Sequence, residues 1–292
     1  MTDSRTLSDA LASAAEVAGR ALVQVGGHCR RRASGSLYDA SGVVLTTARA
    51  VAGLDSVDII SGASTVTGAV AGYDLATDIG LVKIDADLGS GPVWSDAPPR
   101  LGAIALAASR PGRGVRVRLG VVSQVGESWH TPRGGRIERY VETSVAPEPG
   151  FSGGLSFDVD GRVVGMHSAA LLRGVPVLLE KSTISRITSA ILADGRVKRG
   201  YLGVGTQAVR LPAPVASGQG VGLLVSSVQP GSAADRAGLM LGDVLLTFRG
   251  AVLSHATALQ AALEDAEDTA LPLTLLRAGK LEQLEVTPGA RP

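Results

Sequence analysis

The chain has 292 residues, a formal net charge of +1, and 45% hydrophobic against 19% charged residues. That length fits two or three domains, the composition supplies ordinary globular cores, and the near-neutral charge excludes a global pull toward nucleic acid or an anionic membrane. Aromatic residues make up 3%, so the cores must be aliphatic, and 38 glycines predict many turns.

Residues 7–24 carry Leu7, Leu11, Ala14, Ala15, Ala18 and Leu22 at helical spacing. They read as a helix, or a helix running into a strand, with Thr6 or Ser8 as the cap. Cys29 is the lone cysteine, so the sequence forms no internal disulfide, which is compatible with a reducing compartment. The run from Cys29 to Arg32 reads as a short solvated loop. No basic-then-apolar leader opens the chain, and no apolar run has membrane-spanning length, so the expectation is a soluble, cytoplasmic protein with no membrane contact.

From about residue 21 to 180, short apolar or alternating runs recur between Gly, Pro, Asp and Ser. They lie at 42–46, 56–60, 80–84, 103–107, 116–124, 139–144 and 161–168. Such spacing predicts an all-β sandwich or barrel. Helical spacing returns at 184–194, with Ser182 or Thr183 at its start and Gly195 at its end. The basic stretch 196–199 marks a boundary. Beyond it, 200–292 reads as a compact α+β unit. Its strands are expected at 222–228, 243–248, 272–276 and 281–286, and its helices at 232–239 and 255–266, with a loop over 211–220. The expected domains are thus an N-terminal helical segment over 1–25, a β domain over 26–195 and an α+β domain over 200–292.

The chemistry concentrates in Glu148-Pro149-Gly150-Phe151-Ser152-Gly153-Gly154. Glycines around a serine let the backbone aim its amides at one point, as a serine nucleophile requires when the attacked carbonyl becomes an oxyanion. With Leu119–Ser123, Tyr140–Thr143 and Phe157–Gly165, this segment resembles the HtrA family of trypsin-like serine proteases. The resemblance runs over 36–195 for the protease part and 200–287 for a PDZ part. It implies a mainly β fold: a trypsin-like double β-barrel followed by an α+β PDZ domain.

The same resemblance implies the other site residues. Thr77-Asp78-Ile79-Gly80-Leu81-Val82-Lys83-Ile84 is similar to the family segment that holds the orienting aspartate, which assigns Asp78. Val44–Gly53 is similar to the segment holding the catalytic histidine, and there this chain has Arg49. Ser152 stands at the nucleophile, and Gly150 and Ser152 at the oxyanion hole. His167 stands on a strand lining the primary specificity pocket, where the family commonly has asparagine. Leu155 and Ser144 also depart from the family's proline and aspartate.

Arg49 decides the chemistry. A serine hydroxyl needs a neighbour to take its proton. A guanidinium stays protonated and offers no acceptor lone pair. His28, His130, His167 and His255 are the remaining imidazoles, none placed by the resemblance between Ser152 and Asp78, and their scatter gives no metal site. No cofactor is expected. Ser152 and Asp78 also read as inherited packing elements. Arg49 and Asp78 are expected to form a charge-assisted pair, or else Arg49 points into the cleft toward a peptide carboxylate.

In the last unit, Arg199-Gly200-Tyr201-Leu202-Gly203-Val204 resembles the carboxylate-binding loop of PDZ domains, and Val228–Leu239 with Leu241–Leu245 resembles the segment that follows. This assigns Tyr201, Leu202, Gly203 and Val204 to peptide binding, with the helix at 254–266 as the opposite wall. The expectation is an HtrA-like pseudoprotease that binds peptide C-termini or unfolded polypeptides. By the resemblance it forms a homo-oligomer, a trimer, and regulates an active relative by co-assembly. The alternatives are an active endopeptidase with a non-standard base, and an adaptor whose protease part is a spacer.

Overall fold

The computed structural model describes residues 4–26, 33–146, 148–172, 174–215 and 219–290. The described chain divides into two compact units between Val197 and Lys198.

The first unit opens with α1 (Ser4–Ala21), which passes directly into a strand. Thr6 and Ser8 therefore lie inside this helix and do not cap it. Strands β1 (Leu22–Gly26), β2 (Ala33–Leu37), β3 (Val43–Thr46), β4 (Ser56–Ser61), β5 (Ser64–Asp74) and β6 (Ile79–Lys83) close a barrel in the order β1-β2-β3-β6-β5-β4. Leu22–Val25, counted in the sequence with the N-terminal helical segment, thus belong to the barrel wall. Their β-branched valines fill its core with Val44, Ile59 and Val82, all essentially inaccessible to solvent. A short helix, α2 (Ala48–Val51), follows β3.

Strands β7 (Ile104–Ser109) and β8 (Arg116–Val125) come next. A small hairpin follows, of β9 (Trp129–His130) and β10 (Arg136–Ile137). Then come β11 (Val141–Thr143), β12 (Leu155–Phe157), β13 (Val163–Ser168) and β14 (Val177–Leu179). A second barrel closes in the order β11-β14-β13-β12-β7-β8, so the expected double barrel is present. Leu155, Phe157, Met166 and Leu179 fill its core, and Ala14 and Ala18 of α1 join the same cluster. The larger of these side chains, leucine, phenylalanine and methionine, each contribute roughly 1.5–3 kcal/mol on burial. Helix α3 (Lys181–Asp194) ends at Gly195, whose left-handed φ of 72° lets its amide return to the Ile191 carbonyl.

The second unit holds a sheet ordered β15 (Val204–Val215), β16 (Gln219–Val228), β17 (Val244–Phe248), β19 (Leu271–Arg277) and β20 (Lys280–Val286), with β18 (Ala251–Val252) beside β17. Helices α4 (Ala233–Arg236) and α5 (Ala256–Ala262) cover it. Residues 211–215 and 219–220 are strand, where a loop was expected. Pro212 and Pro214 are tolerated because β15 lies at the sheet edge, where a missing N–H breaks no interior ladder. Among the described residues no helix is long and apolar enough to cross a membrane.

Candidate functional site

The site is built on two turns and one strand of the first unit. At the end of β5, the Asp74 carboxylate accepts hydrogen bonds from the Ala76 amide, the Thr77 amide and the Thr77 hydroxyl, the last at 2.6 Å. The hydroxyl of Thr131, in the loop between β9 and β10, donates to the Ala76 carbonyl at 2.8 Å. These bonds fold 75–78 into a tight turn that puts Asp78 at φ 57°, a left-handed conformation aspartate tolerates better than most residues. Its carbonyl accepts from the Ala48 amide at 3.2 Å, which ties the turn to α2.

Asp78 is 2% exposed. One carboxylate oxygen, Oδ2, accepts from the Ser168 hydroxyl at 2.7 Å; the other, Oδ1, is buried without a hydrogen-bond partner. Burial pushes its carboxyl above the usual range, and this outweighs the lowering by the Ser168 bond, the charges of Arg49 and Arg133, and the Arg49 amide.

Arg49 does not form the expected pair with Asp78. Ala48 and Val51 occupy the core side of α2 and leave Arg49 exposed. Among the described residues its guanidinium makes no ion pair within 4.0 Å. The helix presents its backbone, not the Arg49 side chain, to the aspartate.

Ser152 lies on the turn before β12. Gly150 and Gly153 take φ of 89° and 83°, and a side chain on Gly153 would come within 2.1 Å of the Ser34 carbonyl. Glycine is therefore required at 153. The loop is clamped by Ser34 of β2, whose hydroxyl donates to the Gly150 carbonyl at 2.6 Å and accepts from the Arg110 amide at 2.9 Å. Phe151 packs inward beside Ala107 and Val145. The amides of Gly150 and Ser152, the expected oxyanion donors, find no acceptor among the described residues. The Ser152 hydroxyl oxygen accepts from the Ala169 amide at 3.2 Å. Asp78 and Ser152 are thus bonded to adjacent residues, Ser168 and Ala169, and stand on either side of one strand end.

No imidazole reaches Ser152 among the described residues. His167 is 6% exposed, and its Nε2 lies 2.8 Å from the Ser156 hydroxyl on the neighbouring strand. It is packed within the barrel, with its ring bonded to β12. Burial lowers its pKa to about 4. His130 pairs across the β9–β10 hairpin with Arg136. His255 precedes α5 and bonds Ser254. His28 and Cys29–Arg32 lie outside the described residues. Ser144 accepts from the Val121 amide, and Leu155 is buried in the β12 ladder. Among the described residues no group of His, Cys, Asp and Glu could hold a metal ion.

The sequence reading missed Ser34, Arg133 and Ser168. Only Ser168 carried a signal, as the residue after His167 on the strand already singled out.

In the second unit, Gly203 takes φ 79°, and a side chain there would come within 2.3 Å of Ser232 Cβ. The Leu202 carbonyl accepts from Ala234 and the Gly203 carbonyl from Gln229, so both carbonyls are consumed by the turn into α4. The amides of Leu202 and Gly203 donate to nothing among the described residues. Leu202 is buried in the core, and Val204 begins the edge strand. Tyr201 bonds Gln229 Oε1 at 2.9 Å and, with Ser232, Arg236 and Gly289, lines a recess of about 220 Å³. Such a loop offers convergent donors to a carboxylate beside an edge that can accept a strand.

Residues 33–166 match the family described as a trypsin-like peptidase domain, and residues 200–287 match the PDZ domain family. A putative serine protease HhoA of Synechocystis is 32% identical over 275 residues, covering 87% of this chain and 69% of that protein. A probable periplasmic serine endoprotease DegP-like of Marinomonas is 31% identical over 270 residues, covering 89% of this chain; the chain spans 57% of that relative's length. Among solved structures, the serine endoprotease from Yersinia pestis superposes with a TM-score of 0.78 at 22% identity over 97% of this chain and 98% of that one. The S227A variant of the HtrA-type protease AlgW with a tripeptide gives 0.77 at 25% identity over 97% of each chain.

Proposed function

The chain belongs to the HtrA-type family of trypsin-like serine proteases with a C-terminal PDZ domain, and from that premise we propose that it is a member that holds peptides without cutting them. The observation that carries this reading is the exposed Arg49 guanidinium at the histidine position, with no imidazole bonded to Ser152. A group that is always protonated accepts no proton, so the serine hydroxyl stays a weak nucleophile. The surviving oxyanion amides stabilise charge only after attack has occurred. His167 does not substitute: its ring is spent on Ser156.

The binding half of the proposal rests on the second unit. The free amides of Leu202 and Gly203 suit a peptide C-terminus, and the β15 edge suits the strand behind it. Unfolded polypeptides with accessible ends are the ligand class. Homo-trimers, and mixed assemblies in which this chain regulates an active relative, complete the proposal on the family's habit of assembly. Light scattering after size exclusion tests the first, and a strict monomer rejects it. The compartment enters as a proposal too. The single cysteine is compatible with the cytoplasm, several relatives are named periplasmic, and cell fractionation decides between them.

The deciding experiment incubates the purified chain with casein beside Arg49→His and Ser152→Ala variants. The proposal expects no cleavage by the parent. Cleavage by the parent that is lost in Ser152→Ala rejects it, and establishes an endopeptidase with a non-standard base.

A further inference from the structure

We propose that the disused protease cleft is itself a carboxylate-binding site, in which the guanidinium groups of Arg49 and Arg133 and the amides of Gly150 and Ser152 receive an anionic group of a peptide. The inference rests on the reading that hydrolysis is lost, because a bound carboxylate occupies the ground that a scissile carbonyl would need.

The placement follows from bonds already described. The Ala48 amide holds the Asp78 carbonyl, which fixes Arg49 beside Asp78. The Thr131 hydroxyl holds the Ala76 carbonyl, and Gly135 packs so closely on that carbonyl that a side chain there would come within 2.5 Å of it. The loop 131–135 is therefore seated on the Asp78 turn and brings Arg133 near it. Both guanidinium groups lie within electrostatic reach of Asp78. Ser168 and Ala169 bridge from Asp78 to the Ser152 hydroxyl, so the free amides of the serine loop belong to the same place.

The charge balance there favours an anion. Arg49 and Arg133 are exposed, and neither guanidinium has a partner among the described residues. Arg118, by contrast, is matched by Glu148 at 3.1 Å, and Arg186 by Glu138 at 2.6 Å. The nearby acids are committed elsewhere: the Asp74 carboxylate holds the Ala76 and Thr77 amides and the Thr77 hydroxyl, and Glu148 faces Arg118. Asp78 is buried and bonded to Ser168, and makes no ion pair within 4.0 Å with either guanidinium. Two unpaired guanidinium forks and two unpaired amides are a donor set for a carboxylate, and guanidinium meets carboxylate in two parallel bonds. The carboxylate is either a chain terminus or an Asp or Glu side chain.

The test measures fluorescence anisotropy of three labelled short peptides with the full chain: one acidic and amidated at its C-terminus, one neutral with a free C-terminus, and one neutral and amidated. The Arg49→Gln, Arg133→Gln double variant is compared with Arg100→Gln, Arg116→Gln, which removes the same charge elsewhere on the unit. The expected result is that at least one carboxylate-bearing peptide binds more tightly than the neutral amidated one. Its affinity falls about tenfold or more in the Arg49/Arg133 variant, stays within twofold in the control, and weakens with added salt. Dependence confined to the acidic amidated peptide assigns side chains; dependence confined to the free C-terminus assigns the chain end. No binding beyond the neutral amidated peptide, no loss in the Arg49/Arg133 variant, or an equal loss in the control overturns the inference. Casein cleavage by the parent, lost in Ser152→Ala, rejects inactivity without touching this measurement, so the two failures are separable.

Discussion

The turn at Gly150–Ser152 and the turn at Leu202–Gly203 solve the same local problem. Each uses a glycine at positive φ, each commits neighbouring carbonyls to the fold, and each leaves two amides unclaimed among the described residues. They differ in what more is asked of them. Holding a carboxylate needs donors in place and nothing else. Cutting a peptide also needs a group that takes a proton and returns it. On the reading proposed above, arginine at 49 withholds that group and leaves the unclaimed amides in place. Binding, which needs only geometry, would survive such a change; catalysis, which depends on one titration, would not.

The largest expected effect collapses that difference. Arg49→His restores a group that can take a proton at that position, and casein cleavage abolished by Ser152→Ala should rise at least a hundredfold, out of the roughly millionfold a triad histidine commands elsewhere. No gain would show that the serine loop is unfit for reasons beyond the missing base. The likeness of the two turns is sharpened by Gly153→Ala and Gly203→Ala. Each forces a side chain into a left-handed position and against atoms 2.1 Å or 2.3 Å away, and each should cost on the order of 4 kcal/mol in denaturant unfolding. Gly203→Ala should also abolish anisotropy changes with free-C-terminal peptides that depend on the second unit.

Next comes a pH effect confined to the first unit. Above pH 6.5, His167 is neutral whether folded or not. As pH falls, the unfolded chain takes a proton near the ordinary 6.5, while the buried ring resists until about 4. Stability should therefore decline from pH 6.5 toward 4, by about 3 kcal/mol in total, and His167→Asn should flatten the decline. Urea midpoints taken across that range check it. The smallest effect is expected from Tyr201→Phe, which removes an exposed bond to Gln229 and should shift stability by about 0.5 kcal/mol.

How legible this was depended on how local the cause was. Strand β8 was read at 116–124 and ends at Val125, because Val117, Leu119 and Val121 alternate with Arg116, Arg118 and Gly120. Strand β2 was missed because Ala-Ser-Gly-Ser-Leu has no apolar rhythm; Ser34 and Ser36 are buried nonetheless. Strand β5 was missed because Gly68 and Gly72 break its pattern. Helix α2 has four residues, too few for any period to show. Asp78 and Ser152 came from motif resemblance. Ser34, 116 residues from its partner Gly150, and Arg133, brought in by a hairpin, are products of closure and leave no mark in their own neighbourhood. The Arg49–Asp78 pair failed for the same reason: aligned positions said nothing about which way a one-turn helix would face.

The two prolines of the edge strand set a measure on what can be bound. A guest segment laid along β15 can exchange backbone bonds from Val204 as far as Leu211; at Pro212 and Pro214 the host has no hydrogen to give. Since only alternate residues of an edge face outward, such a guest is read over about four of its residues and then let go. If the proposed peptide binding holds, the edge strand would thus act as a ruler that limits how much of a guest is read, whatever the length of the chain that precedes it.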